Sequence, residues 1–492
     1  MDAVNSTTAG TEVREVPGDN GLDLSSPYEG QEGNIKEQKV PLFINRNYAL
    51  LFCGHAISIS GDVIFTETLS LWVALSIARG QSWAPLALGG VLLAAIIPTL
   101  LLGSVAGVFV DRWVKRQTML RMDAARTILV ALLLPVTGVL PVGPLVKLVI
   151  IYAVVLLSST CSQFFNPSSF ALIGEIVPEK YLARASGLLQ TMSGLAYVLA
   201  PPVAVVLFFA VGPQVAVLFN ALSFACSFIA ISFLRLPAAT ASVAQEPEKN
   251  FLREYFAGLR FIAQNRILLV ALIGACLAVI PEGAQNALGI FFYQQNLHAP
   301  LPLFGLVGTA TGIGTIAGAL GAALFAERLG VGRVFSGSIL VVGGLMIFYA
   351  RTNSLIVALI CVFLTGSLVA AVNVCVGPIA LSVTPKEMLG RIGASSTSVL
   401  SLASLVSISL LSYLSSTLLQ HFQINLLGAS FSTYDSIFAV TGVIAVLGGV
   451  YTLSNLWRAK FAEPQPEQNP EAAEPQNQVA AESQASVVSN QV

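Results

Sequence analysis

GSVAGVFVDRWVKRQTMLRMDAAR, residues 103–126, joins two apolar runs, Ala84–Val110 before it and Thr127–Val142 after it. Asp111, Arg112, Lys115, Arg116, Arg121, Asp123 and Arg126 sit between them. An apolar run that stops in a dense basic turn and then resumes reads as a hairpin of two membrane helices. Short loops rich in Lys and Arg stay on the cytoplasmic side, so the turn is expected there. Gly103 and Gly107 are four residues apart and share one helix face, which allows close approach by a neighbouring backbone.

Composition agrees with this reading outside the hairpin. The chain has 492 residues, 55% of them hydrophobic and 10% charged, where a soluble domain carries about 25% charged residues. Residues 1–47 and 459–492 are polar tails, expected to be solvated, disordered and cytoplasmic. Apolar stretches of roughly 20 residues, the length that crosses a bilayer, recur between the tails. Twelve are expected, over about 48–78, 84–108, 118–139, 145–174, 183–209, 212–233, 264–294, 303–325, 333–350, 354–382, 391–420 and 432–456. The longest polar interruption, 236–263, falls between the sixth and seventh. It divides the chain into halves 48–235 and 264–458, and its second part reads as an amphipathic surface helix.

With both termini inside, the cytoplasmic loops receive nearly all the Lys and Arg. Outer loops receive only Arg79, Lys147 and Arg351. The net charge of −1 argues against a nucleic-acid partner. The six Cys have no metal or redox spacing and read as small apolar residues. His55, His298 and His421 are far apart, so no HExxH motif and no metal site is expected. GxxxxGK[ST] is absent, which excludes an ATP-driven pump of that type.

The halves repeat one another. Asn45-Arg46 is followed by Gly54 and Asp62, and Asn265-Arg266 by Gly274 and Glu282 at the same spacing. Gly107, Asp111 and Arg112 recur as Ala323, Glu327 and Arg328. Asn166, Pro178 and Arg184 recur as Asn373, Pro385 and Arg391. Two six-helix halves in the same orientation are one of the repeat types of secondary transporters.

The turn resembles the signature loop of the major facilitator superfamily: Gly107, Asp111, Arg112, Lys115 and Arg116 fill its places, with Val114 where Gly is usual. The wider pattern is similar to the macrolide-efflux and siderophore-exporter branch. ISGDVIF in the first helix and FFNPSSFALIGEIVPEKYLARASGLLQT from the fourth into the fifth carry that likeness. The resemblance implies an all-α membrane protein of twelve helices in two bundles. It also implies efflux of a small amphipathic or hydrophobic molecule by alternating access. Gly194, Ala200, Pro201 and Pro202 resemble an antiporter signature with Ala in place of one Gly. The fourth helix lacks the Arg that many proton-coupled drug antiporters carry.

Between the first and last spans almost every acid belongs to a loop; three do not, Asp62 and Glu67 in the first helix and Glu282 in the seventh. An ionisable group in the bilayer costs about 2.5–3.5 kcal/mol on insertion scales, so it is expected to face a cavity and act there. Sixteen residues separate Asp62 from Arg46 and Glu282 from Arg266, about 24 Å of helix, near mid-bilayer. These acids are the proton-coupling candidates, with the proton gradient as energy source and no cofactor. The structural alternative is an acid satisfied by neighbouring polar groups. Gln163, Asn166, Gln190, Tyr197, Gln285, Asn286, Tyr293 and Asn373 are cavity candidates, each alternatively a helix–helix hydrogen bond. Gly103, Gly107, Asp111, Arg112, Lys115, Arg116, Arg184, Glu327, Arg328 and Arg391 are the candidate gate, with Glu175 or Arg391 expected to pair with Asp111 and Arg112.

The expected setting is a bacterial inner membrane and the expected state a monomer. Lipid or lysophospholipid transport by the same fold is the alternative function. A membrane scaffold or receptor that transports nothing is the third.

Overall fold

The structure, a computed structural model, describes residues 44–138, 140–235, 251–385, 388–419, 424–426 and 429–457. Nearly all of both tails, the stretch 236–250 and His421 lie outside them.

Each half opens on an asparagine cap. The Asn45 side chain accepts from the Tyr48 amide and starts α1 (Arg46–Trp72), which runs on through a π-helical turn, Val73–Ile77. The Asn265 side chain accepts from the Ile267 and Leu268 amides and starts α9 (Arg266–Gln295). A side-chain oxygen at this position satisfies amides that have no partner within the helix.

The first half continues with α2 (Ala84–Arg112), α3 (Lys115–Ala131), α4 (Leu134–Gly138), α5 (Pro144–Ile176), α6 (Leu182–Ala210) and α7 (Pro213–Ser232). A helix between the halves, α8 (Phe251–Gln264), leads into α9. The second half adds α10 (Gly305–Leu329), α11 (Val331–Ala350), α12 (Leu355–Val383), α13 (Leu389–Ser416) and α14 (Thr433–Leu456). The repeat holds at the helix ends. α5 and α12 end 207 residues apart, and α6 and α13 begin 207 residues apart.

Among the described residues eleven helices are long and apolar enough to cross a membrane. The third expected span is the exception, for two reasons. It is broken into α3 and α4, and Arg121, Asp123 and Arg126 dilute the apolar residues of α3. α3 nevertheless packs between α5 and α7 and completes the six-helix bundle of its half. The eleventh span stops at Ser416 rather than 420. Beyond it a two-stranded hairpin, β1 (Ile424–Leu426) and β2 (Ala429–Phe431), pairs antiparallel with Ile424 opposite Phe431.

The chain turns at alternate ends of the bundle, so Arg46, Arg112, Lys115, Arg116, Arg184, Arg235, Arg266, Arg328 and Arg391 collect at one end. At this basic end each half has its own core. One contains Tyr48, Leu51, Met119, Phe165 and Leu172, the other Val270, Phe335, Ile339 and Cys375. At the far end a single core runs through both halves, from Leu69, Trp72 and Leu88 to Leu288, Phe292, Leu411 and Phe438.

Glycines on the helices that meet across the halves show the same asymmetry. At the far end Gly89 of α2 abuts Ser412 of α13, and the Leu86 amide donates to Ser416 Oγ at 3.1 Å. A Cβ on Gly305 of α10 would lie 2.6 Å from Pro202 Cα of α6, and one on Gly312 would lie 3.0 Å from Val198 Cα. Toward the basic end Gly107 of α2, Gly187 of α6 and Gly393 of α13 have open space where a Cβ would point. The bundle is closed at the far end and open at the basic end.

Candidate functional site

Helix periodicity places His55, Ser58, Ile59 and Asp62 on one face of α1, at intervals of three, one and three residues. That face lines a cavity of about 370 Å³ together with Arg126, Ser162, Phe165, Asn166, Gln190, Ser193 and Tyr197. The Asp62 carboxylate is 39% exposed to this space. Its position is set from behind by a tight α1–α7 seam. Gly61 sits against Ser223 and Asn220, where an added Cβ would be 2.9 Å from Asn220 Oδ1. Asn220, wholly buried, donates from Nδ2 to Asp62 Oδ1 at 3.4 Å.

Arg126 and Asp123, expected in the basic turn, belong instead to the interior of the first half. Arg126 is 3% exposed and Asp123 not at all. Arg126 Nη2 donates to Asp123 Oδ1 at 2.7 Å, and Nη1 lies 3.9 Å from Asp62 Oδ2 and 3.3 Å from Ser162 Oγ. The guanidinium is held between two rings, 4.5 Å from the Phe165 centroid and 4.4 Å from that of Phe224. His55 stacks on Phe165 from the cavity side, 5.8 Å between centroids. The arginine buried in the first half thus lies on α3 rather than on α5.

Two carboxylates share one guanidinium, so the cluster carries one uncompensated negative charge when both acids are ionised. Isolated charge in a low-dielectric interior is costly and draws in a proton or another cation. Asp123 is held at salt-bridge distance, whereas Asp62 is only loosely held and faces the cavity. Any exchange with the cavity therefore falls to Asp62.

The structure separates the three acids of the apolar spans. Glu67, a turn and a half beyond Asp62, is partly buried and has no hydrogen bond or ion pair among the described residues. Glu282 on α9 is exposed, also with no such partner. It shares a face with Ala275 and Ala278, which pack with Val372 and Cys375 of α12. Of the polar candidates, Asn166, Gln190 and Tyr197 line the Asp62 cavity. Gln163 instead ties α5 to α2, donating to Thr99 Oγ1 at 3.0 Å. Tyr293 is buried in the far-end core and donates to the Pro300 carbonyl at 3.1 Å. Gln285 is half-buried beside Gly289, and Asn286 and Asn373 are exposed on the second half.

At the basic end Lys115, not Arg112, pairs with Glu175, at 3.4 Å. Arg116 donates to the Ile231 and Ser232 carbonyls at 3.2 and 2.6 Å, fastening the start of α3 to the end of α7. Arg112, Arg184, Glu327 and Arg328 are exposed, and Gly103 lies 3.5 Å, measured from its notional Cβ, from Gln163 Oε1. The side chain of Asp111 lies outside the description.

Sequence reading missed Arg126 and Asp123 because they are contiguous with a basic loop. Their i, i+3 spacing, which places them on one helix face, was the available signal.

The two bundles part at the basic end, and the charge cluster of Asp62, Asp123 and Arg126 borders a cavity lined by helices of the first half. The description of transmembrane secretion effectors matches residues 41–433, and the chain belongs to that family, within the major facilitator superfamily. It is similar to an uncharacterized MFS-type transporter of Bacillus subtilis (strain 168), YkuC, with 21% identity over 71% of this chain and 81% of the relative. Similarity to macrolide efflux protein A of Streptococcus pyogenes is 22% over 48% of this chain and 56% of that protein. Among solved structures, a bacterial homologue of the iron transporter ferroportin in its inward-facing state superposes with a TM-score of 0.64. Identity there is 15%, over 83% of this chain and 98% of the other. Membership makes the protein a multi-pass transporter and not an enzyme.

Proposed function

We propose that this transporter exports a small amphipathic or hydrophobic molecule in exchange for protons, with Asp62 as the exchanging group. The observation that carries the reading is the sharing of Arg126 between Asp123 and Asp62 at the edge of a cavity within the first half. On this reading the basic end is the cytoplasmic one, as the distribution of Lys and Arg supports, and the open end faces inward.

The charge count supplies a coupling rule. The cluster has one surplus negative charge, which one proton, or one cationic group of a substrate, can neutralise. The two compete for the same carboxylate, so loading one favours release of the other. Asn220 and Gly61 hold Asp62 in place, and the close pairing with Arg126 keeps Asp123 out of the exchange. The similarity to macrolide efflux protein A supports outward transport of such a molecule, and a bacterial inner membrane is the matching location.

The test is gradient-driven uptake into inverted vesicles. Asp62→Asn should abolish accumulation driven by an imposed pH gradient, because a permanently neutral group cannot carry a proton between faces. Glu282→Gln and Glu67→Gln should leave accumulation substantially intact. Gradient-driven accumulation by Asp62→Asn at the wild-type level would overturn the assignment.

A further inference from the structure

The helix between the two halves, α8, carries no part of the transport cluster, yet its placement is unusually fixed. Gly258 sits directly on α13: a Cβ there would be 2.7 Å from both the Arg391 carbonyl oxygen and Ser395 Oγ. Ser395 donates to the Tyr255 carbonyl at 3.0 Å. Ile262, 2% exposed, closes the contact in a cluster with Leu268 of α9 and Ile392 of α13. Tyr255, Gly258 and Ile262 lie at intervals of three and four and form one face. A helix seated by backbone contact cannot roll about its axis, so its opposite face is presented in a set direction.

That opposite face is Arg253, Phe256 and Arg260, at intervals of three and four. All three are exposed, Phe256 by 61%. An exposed aromatic ring flanked by two guanidinium groups, on a helix whose other side is apolar, is the chemistry of a helix lying at a membrane–water boundary.

Its level relative to the bilayer is fixed by its neighbours. α8 is separated from the membrane-crossing α9 by Asn265 alone. At the same end of the bundle Trp457, half exposed, follows α14 and carries Arg333 over its ring at 4.7 Å. Trp113, 43% exposed, follows α2. Tryptophan with arginine at helix ends marks the headgroup layer. We propose that the Arg253–Phe256–Arg260 face of α8 binds the headgroups of anionic phospholipids in the surrounding leaflet, with Phe256 inserted at the acyl boundary. The occupant is argued from charge and level: two exposed guanidinium groups at headgroup depth face phosphates, and the ring between them faces the apolar layer.

The experiment uses the full-length protein in nanodiscs of phosphatidylcholine containing a minor fraction of phosphatidylglycerol. Phospholipid retained on extraction into detergent is counted by native mass spectrometry. Wild type should retain phosphatidylglycerol over phosphatidylcholine. Arg253→Gln with Arg260→Gln should lower that preference about thirtyfold, corresponding to about 1 kcal/mol for each basic residue at an anionic surface. Arg253→Lys with Arg260→Lys should preserve it, because the interaction is one of charge, and retention in that variant also reports intact folding. Lys147→Gln, at the far end, should leave it unchanged. Equal retention of the two lipids by wild type would overturn the proposal. So would wild-type preference in the glutamine variant, or an equal fall with Lys147→Gln.

Discussion

At the scale of single residues, Asp62 and Arg126 touch the same charge cluster but contribute differently to the fold. Arg126 is buried, hydrogen-bonded to Asp123 at 2.7 Å and held between two aromatic rings. Its removal strands a fully buried carboxylate, an effect of about 3–5 kcal/mol. Arg126→Ala should therefore lower the thermal stability of the purified transporter strongly, and adding Asp123→Asn should restore a large part of the loss. A stability equal to wild type in Arg126→Ala would mean that the pair is not formed. Asp62, by contrast, is partly exposed and has longer contacts, so Asp62→Asn should alter stability by less than about 1 kcal/mol while removing coupled transport. On the proposed reading, the two residues separate a folding role from an exchange role within 4 Å.

At the scale of elements, α10 carries two glycine faces on opposite sides of one helix. Gly314 and Gly318 meet the backbone of α12 within the same half, at the Phe363 and Ser367 carbonyls. Gly305, Gly308 and Gly312 meet α6 of the other half, at Pro202, Pro201 and Val198. The double proline suggestive of an antiporter signature is thus the surface on which α10 sits when the far end is closed. The first face is permanent, and the second must separate when the far end opens. Gly318→Leu should destabilise the protein by about 1–3 kcal/mol or prevent folding, since a backbone contact cannot yield to a side chain. Gly308→Leu, with a Cβ 2.7 Å from Pro201 Cγ, should leave the protein folded and shift it from the far-end-closed state. Distance measurements between spin labels on α6 and α10 would show the separation. Equal thermal losses with an unchanged distance would refute the division.

At the scale of the whole molecule, the joined far-end core and the separate basic-end cores make a directional statement. A cysteine at Ser193, on the cavity wall, should react with a membrane-impermeant thiol reagent applied at the basic end and resist it from the other side. This is best measured in a background lacking Cys53 and Cys226, both exposed. Reaction from the far side alone would invert the assignment of the open end. Gly308→Leu should raise reactivity from the far side, linking the element-scale seam to the global equilibrium.

Much of this was legible in the chain. Apolar periodicity and segregation of charge gave the membrane class, the two halves and their parallel repeat, because spanning length and loop charge are local properties that a bilayer enforces. The asparagine caps and the 207-residue offset of corresponding helix ends follow the repeat directly. The amphipathic stretch before the seventh span was likewise visible and forms α8.

Partnership was beyond the sequence. Asp123 and Arg126 read as loop charges because nothing local distinguishes a solvated arginine from one buried between rings of α5 and α7. Only tertiary packing brings Phe165 and Phe224 to that guanidinium. The same packing divides the candidate polar residues into a cavity wall, an α2–α5 tie and a far-end core. It also pairs Glu175 with Lys115 rather than Arg112. The conformation was decided last and only in three dimensions. Which end is open depends on contacts between helices from different halves, and the repeat, being the same in either state, carries no information about it.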